Sequence, residues 1–170
     1  PENLVVRRLS DGAEQIKVLD FGVAKIRALG DERLESLTGD GVPIGTPQYM
    51  SPEQAEMSAL DVDTRSDVYS LGAVLYQMLT SRLPRTLEGL PIYEAVRQIC
   101  QEPPVNPTVY DPTIDRDLEA ILMKALQTNR EERYQSAGAF GRDMLRYLGN
   151  KPIKARRVTV LDCFRLFYLR

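Results

Sequence analysis

The chain has 170 residues, 43% of them apolar and 27% charged, which suits one globular domain or a large piece of one with a buried core. It contains no histidine, which excludes a histidine general base and Ser-His-Asp chemistry within these residues. The net charge of −2 is uneven, because residues 151–170 carry six Lys/Arg and one Asp, a tail of +5 on a body of −7, and such a body is no nucleic-acid binder.

In chain order, Pro1-Glu2-Asn3 precedes two β-rich runs, Leu4-Val5-Val6 and Ile16-Lys17-Val18-Leu19. The Ser10-Asp11-Gly12 cluster between them predicts a short hairpin. Asp20-Phe21-Gly22 follows, a tripeptide that arises by chance in roughly one chain of this length in forty. From Lys25 to Pro43 the sequence is polar and aperiodic, a loop long enough to be functional or disordered. Ser36 and Thr38 are its hydroxyls, and a phosphate on either, Thr38 the better candidate, orders such a loop through an Arg pair; a plain solvated hydroxyl is the alternative. The stretch closes on Gly45-Thr46-Pro47-Gln48-Tyr49 and Ser51-Pro52-Glu53.

Thr64-x-x-Asp67 reads as an acidic capping box opening a helix. Its apolar residues Val68, Tyr69, Leu71, Val74, Leu75, Met78 and Leu79 wrap most of the circumference and predict a buried element. Smaller helices follow. One begins at Pro91 and runs through Ile99 to a stop at Pro103-Pro104. Another carries Leu118, Ile121, Leu122, Ala125 and Leu126 on one face. A third is capped by Ser136, turns Phe140, Met144, Tyr147 and Leu148 inward, and ends at Gly149-Asn150. The tail holds Lys151, Lys154, Arg156 and Arg157, then a short amphipathic pattern of Val160, Phe164, Phe167 and Tyr168. Such a segment lies on an anionic membrane face, docks on the domain, or stays solvated. Cys100 and Cys163 lack metal-ligand spacing and read as reduced thiols. No run of about 18 apolar residues occurs.

Asp-Phe-Gly at one end of the loop and Gly-Thr-Pro with Ser-Pro-Glu at the other resemble the activation segment of protein kinases, Ser51 standing where that family usually has Ala, and Gln54 following as in many bacterial Ser/Thr kinases. The resemblance runs from Pro1 to about Gly149 and implies a mainly α protein-kinase-like fold with a short β-hairpin, of the large C-terminal lobe only. The expected division is 1–150 as that partial lobe and 151–170 as a basic juxtamembrane-like tail. The chain opens on Pro1 in mid-motif and is expected to be a fragment, with the N-lobe and the start of the catalytic loop lying upstream.

By the same resemblance Asn3 and Asp20 hold Mg²⁺ on the phosphates of ATP, and Thr46 shapes the acceptor site and reaches a catalytic Asp upstream. By residue chemistry alone, Asn3 also reads as an Asx-turn and Asp20 as a turn cap. Glu53 is implied to be buried, with Arg133 of Asn129-Arg130-Glu131-Glu132-Arg133-Tyr134 as its partner in a structural pair. Asp67 is implied to hold the catalytic-loop backbone, although capping explains it equally. The function implied is ATP-dependent phosphoryl transfer to Ser/Thr of protein substrates, Ser/Thr protein kinase activity of the intact protein, with the fragment alone inactive. A second kinase molecule in a dimer is a further candidate partner; nucleic acid is not. The location implied is cytoplasmic, on a protein with a membrane anchor beyond residue 170. The rival reading is a pseudokinase or docking scaffold, which has no need of the metal ligands Asn3 and Asp20.

Overall fold

The computed structural model describes residues 4–9, 11–12, 14–18, 47–56 and 63–156. The chain divides into two compact units, Pro1–Thr46 and Pro47–Arg170.

In the first unit strand β1 (Leu4–Arg8) pairs antiparallel with β2 (Glu14–Val18), Leu4 opposite Val18 and Arg8 opposite Glu14. The Gly12 N–H donates to the Leu9 carbonyl at 3.0 Å, and Gly12 takes φ +83°, a conformation that a side chain would strain. The ladder extends beyond the apolar runs to Arg7, Arg8, Glu14 and Gln15. Its bonds are backbone bonds and need no apolar side chain.

The second unit begins with a 3-10 turn, Pro47–Tyr49, and the short helix α1 (Pro52–Ala55). Ser51 opens α1, and the Gln54 side-chain oxygen accepts from both the Ser51 N–H and its hydroxyl, each at 3.0 Å. The central element is α2 (Thr64–Thr80), which ends at Ser81 in the left-handed conformation, φ 55°. Its cap is Asp63 and not Thr64: the Asp63 carboxylate accepts from the Arg65 N–H at 2.7 Å, so the helix starts one residue earlier than the capping pattern predicts.

Helix α2 is also not buried all round. Its covered face carries Val68, Tyr69, Gly72, Ala73 and Tyr76, whereas Met78, on the opposite side, is 74% exposed and Leu79, in the final turn, is exposed too. The reason is the kind of neighbour that α2 accepts. Tyr69, Ala73 and Tyr76 pack on Ile114, Leu118, Leu122 and Leu126, the last three from or just after α4 (Arg116–Ala125). A Cβ added at Gly72 would stand 2.8 Å from the Ala125 Cβ, so small residues set the approach of the two helices. On the other side of this layer Val68, Ile121, Ala125, Tyr134 and Phe140 form a second cluster. Each large apolar side chain so buried contributes about 1.5–3 kcal/mol.

Helix α3 (Ile92–Gln101) is capped by Pro91 and packs Ala95 and Ile99 with Ala55 and Leu87. Helix α5 (Ala137–Leu148) is capped by Ser136, whose hydroxyl accepts from the Ala139 N–H at 3.1 Å. Phe140 is buried as the pattern predicts, but Leu148 is 69% exposed and Asp143 is buried instead. The Asp143 carboxylate accepts from the Tyr134 hydroxyl at 2.8 Å and from the Lys154 N–H at 2.6 Å. Two such bonds make its burial tolerable and set the face that α5 turns inward. After Asn150, at φ 50°, the chain returns: Ile153 joins the second cluster and Arg156 pairs with Asp117 at 2.6 Å.

Candidate functional site

The densest polar arrangement in the second unit is centred on Arg133. Its guanidinium is held by α1, by the start of α2 and by the turn after α4. Nη1 donates to Glu53 Oε1 and Nη2 to Glu53 Oε2, both at 2.7 Å, a two-pronged pair across 80 residues of sequence. The remaining N–H groups donate to backbone carbonyls: Nε to Gln127 at 2.6 Å, Nη1 to Arg65 at 3.2 Å and Nη2 to Thr128 at 2.9 Å. Arg133 is 2% exposed, and the ring of Tyr69 lies 5.1 Å from it.

Glu53 also accepts from the Ser66 hydroxyl at 2.6 Å. Burial works against its charge, but the bonds from Arg133 and Ser66 outweigh burial and hold the carboxyl below the usual carboxylate range. The cluster continues through Tyr69, whose hydroxyl bonds the Arg85 guanidinium. Arg85, itself buried, also donates to the Glu102 carbonyl from Nε at 3.0 Å and Nη2 at 2.6 Å. The arrangement moves no proton and holds no open position. What it does is fix geometry, tying α1 to α2 and to the segment before α5.

Two further contacts fix the chain entering α1. The Tyr49 hydroxyl donates to the Gln77 side-chain oxygen at 2.5 Å, and the Ser70 hydroxyl donates to the Tyr49 carbonyl at 2.8 Å. The backbone from Pro47 to Ala55 is thereby seated on α2.

Asp67, in the first turn of α2, is half-buried, and burial raises its carboxyl above the ordinary value. Among the described residues it has no hydrogen-bond or ion-pair partner. Of the other residues singled out from the sequence, Asn3, Asp20, Ser36, Thr38 and Thr46 lie outside the described residues. Among the described residues no group of three or more His, Cys, Asp or Glu is placed to hold a metal ion. Cys100 is a free, half-buried cysteine; its thiol lies 3.7 Å from the Pro52 carbonyl, and burial, with Glu56 beside it, pushes it up to about 11, which disfavours the thiolate.

Sequence reasoning missed Ser66, Tyr69 as a polar partner, Arg85 and Asp143. Asp143 stands one turn from Phe140 on an otherwise apolar face, but the partners that let it point inward, Tyr134 and the Lys154 N–H, leave no local pattern. Arg85 carried no signal either, standing in an irregular loop among other charged residues.

Residues 1–143 match the protein kinase domain. The serine/threonine-protein kinase PknB of Mycobacterium tuberculosis (strain ATCC 25618 / H37Rv) is 39% identical over 158 residues, 93% of this chain and 24% of the relative. A probable serine/threonine-protein kinase of Streptomyces coelicolor, SCO3848, is 40% identical over 155 residues, 91% of this chain and 21% of its own length. Serine/threonine-protein kinase Pkn1 of Myxococcus xanthus is 40% identical over 140 residues, 82% of this chain and 19% of its own. The chain thus spans about a quarter or less of the curated relatives that it matches.

Proposed function

The chain belongs to the protein kinase domain family, and from that premise we propose that the whole protein transfers the terminal phosphoryl group of ATP to Ser or Thr hydroxyls of protein substrates, the activity in its relatives' names. The observation that carries the reading is the Glu53–Arg133 fork. Phosphoryl transfer rests on positioning and charge neutralisation, and a loop that must present a substrate needs one end immobile. The fork, with the Tyr49 contacts to Gln77 and Ser70, supplies that end.

On this reading residues 1–150 are the lobe and 151–170 continue from it. Thr46, one residue before the seated turn, shapes the acceptor site. Asn3 and Asp20 offer a carboxamide and a carboxylate oxygen, the donor chemistry that suits Mg²⁺. In sequence Asn3 adjoins Leu4 and Asp20 is two residues past Val18, and those strand ends are paired. When bound, ATP with Mg²⁺ supplies the phosphoryl group and neutralises its charge. Asp67 holds the backbone of the catalytic loop, whose N–H groups would relieve a carboxylate that burial leaves in its less stable charged form. Phosphorylation of Thr38 or Ser36 orders the loop between Lys25 and Pro43.

The substrates are proteins, and a second copy of the kinase is a further partner. We place the lobe on the cytoplasmic side of a membrane-anchored protein; no helix among the described residues is long and apolar enough to cross a membrane.

The test is phosphoryl transfer from labelled ATP to a Ser/Thr-containing protein, by the whole protein and by these 170 residues alone. Transfer is expected from the first and not from the second, because these residues contain no glycine-rich phosphate loop and no His-Arg-Asp. Transfer by the 170 residues, or none by the whole protein, contradicts the reading.

A further inference from the structure

Arg85 stands in the irregular loop between α2 and α3, yet only 6% of it is exposed. Its guanidinium meets neutral acceptors alone: Nη1 donates to the Tyr69 hydroxyl, and Nε and Nη2 donate to the Glu102 carbonyl at 3.0 and 2.6 Å. Among the described residues no carboxylate lies within ion-pair distance of it. Burying a charge without a counter-charge is unfavourable, and a methionine would fill the space with no charge to bury. Stability therefore gives no reason for a cation here, and geometry does. A guanidinium is a rigid fork with fixed donor directions. This one spans two elements, the second turn of α2 at Tyr69 and the end of α3 at Glu102.

What α3 supports is α1. Helix α1 is a single turn, too short to hold its own shape. On one side Arg133 grips Glu53. On the other, Ala55 packs with Ala95 and Ile99 of α3 and with Leu87, two residues past Arg85, and the Cys100 thiol lies against the Pro52 carbonyl. Arg133 and Arg85 share Tyr69: their guanidinium carbons lie 5.1 and 5.9 Å from its ring centre. One tyrosine thus sets the place of both groups that hold α1, the first directly and the second through α3.

We infer that Arg85 is a positioning residue for the protein acceptor: by locking the end of α3 onto Tyr69 it fixes the wall against which α1 leans, and so the acceptor-presenting end of the loop. The inference rests on the phosphoryl-transfer reading above and adds to it a residue outside the Glu53–Arg133 fork. The path of the chain around Arg85 is held independently, by the Val105 N–H donating to the Pro84 carbonyl and the Tyr76 hydroxyl donating to the Val105 carbonyl, both at 2.9 Å. A substitution at 85 therefore keeps the fold and releases the angle of α3.

The experiment is steady-state transfer by the whole protein, with ATP and a Ser/Thr-containing protein acceptor varied in turn, in Arg85→Met, Tyr69→Phe and the double variant. Tyr69→Phe removes the hydroxyl and keeps the ring. The acceptor kcat/KM is expected to fall about tenfold in Arg85→Met, by less in Tyr69→Phe, and no further in the double variant, since the two groups act as one unit. KM for ATP is expected to stay within about twofold, and the melting temperature of Arg85→Met to stay level or rise. In hydrogen exchange on the same proteins, the Ala55 and Glu56 amides, bonded to the Ser51 and Pro52 carbonyls, are expected to exchange about tenfold faster in Arg85→Met, with α4 amides unchanged. Unaltered acceptor kcat/KM, an ATP KM that rises in parallel, additive losses in the double variant, or unaltered exchange at Ala55 and Glu56 overturns the inference. So does a melting temperature of Arg85→Met that falls, the mark of a merely structural group. Absence of transfer by the unaltered protein contradicts the transfer reading instead, and exchange at Ala55 and Glu56 still decides whether Arg85 seats α1.

Discussion

Arg133 has five N–H donors and the structure uses every one, two on Glu53 and three on backbone carbonyls. Lysine cannot reproduce that fork, being a point charge on a flexible stem. Removing the guanidinium leaves Glu53 buried and unpaired, so Arg133→Met is expected to cost about 3–5 kcal/mol in urea unfolding, and Arg133→Lys to recover little of it. The pH dependence follows from the sign of the Glu53 shift. Its carboxyl is lowered from 4.5, so the stability it contributes is present above that value and is lost as pH falls through the lowered one. The stability difference between the chain and Glu53→Gln is therefore expected to shrink as the solution is taken from about pH 7 to about pH 3. Asp67 has the opposite sign. Burial raises its carboxyl, so its charged form opposes folding at neutral pH, and Asp67→Asn is expected to raise the melting temperature of this chain. If Asp67 serves the catalytic loop, the same substitution lowers transfer by the whole protein, a trade of stability for function.

At the scale of elements, the contact between α2 and α4 depends on the absence of one Cβ. Gly72→Val is expected to destabilise by about 1–3 kcal/mol, because the Ala125 Cβ stands in the way and a helix backbone must move to admit the side chain. Ala125→Gly in the same chain is expected to recover part of the loss, and urea melts of the two single variants and the double variant measure the coupling. The face of α4 was legible in the sequence because all five of its periodic apolar residues, Leu118 to Leu126, sit in the core. The orientation of α5 was not, because Asp143 takes an inward place on the strength of bonds to Tyr134 and Lys154, which no periodicity encodes. The cap of α2 slipped by one residue for a local reason: Asp63 offers a carboxylate to the Arg65 N–H where Thr64 offers only a hydroxyl one position too late. Met78 shows the limit of counting apolar residues, since α2 is seated through Gly72, Ala73 and two tyrosines.

At the scale of the molecule, the residues proposed for chemistry and those that fix geometry are separated along the chain. Asp20 and Thr46 stand in motifs at the two ends of a long polar loop and Asn3 before the hairpin, and all three lie outside the described residues. The Glu53–Arg133 pair spans 80 residues and leaves no local pattern; only resemblance to a family points to it. Arg85, Ser66 and the hydroxyl of Tyr69 complete that cluster, and their polar roles carried no signal in the sequence. The whole-protein reading therefore turns on whether the carboxylate at the start of the loop serves a metal and its phosphates. The most direct measurement is phosphoryl transfer by the whole protein with Asp20→Ala beside the unaltered chain, with the melting temperature of each. The expected result is a loss on the order of 10²–10³-fold or more with an unchanged melting temperature, the scale on which a single electrostatic stabiliser acts. Undiminished transfer by the folded variant contradicts the assignment.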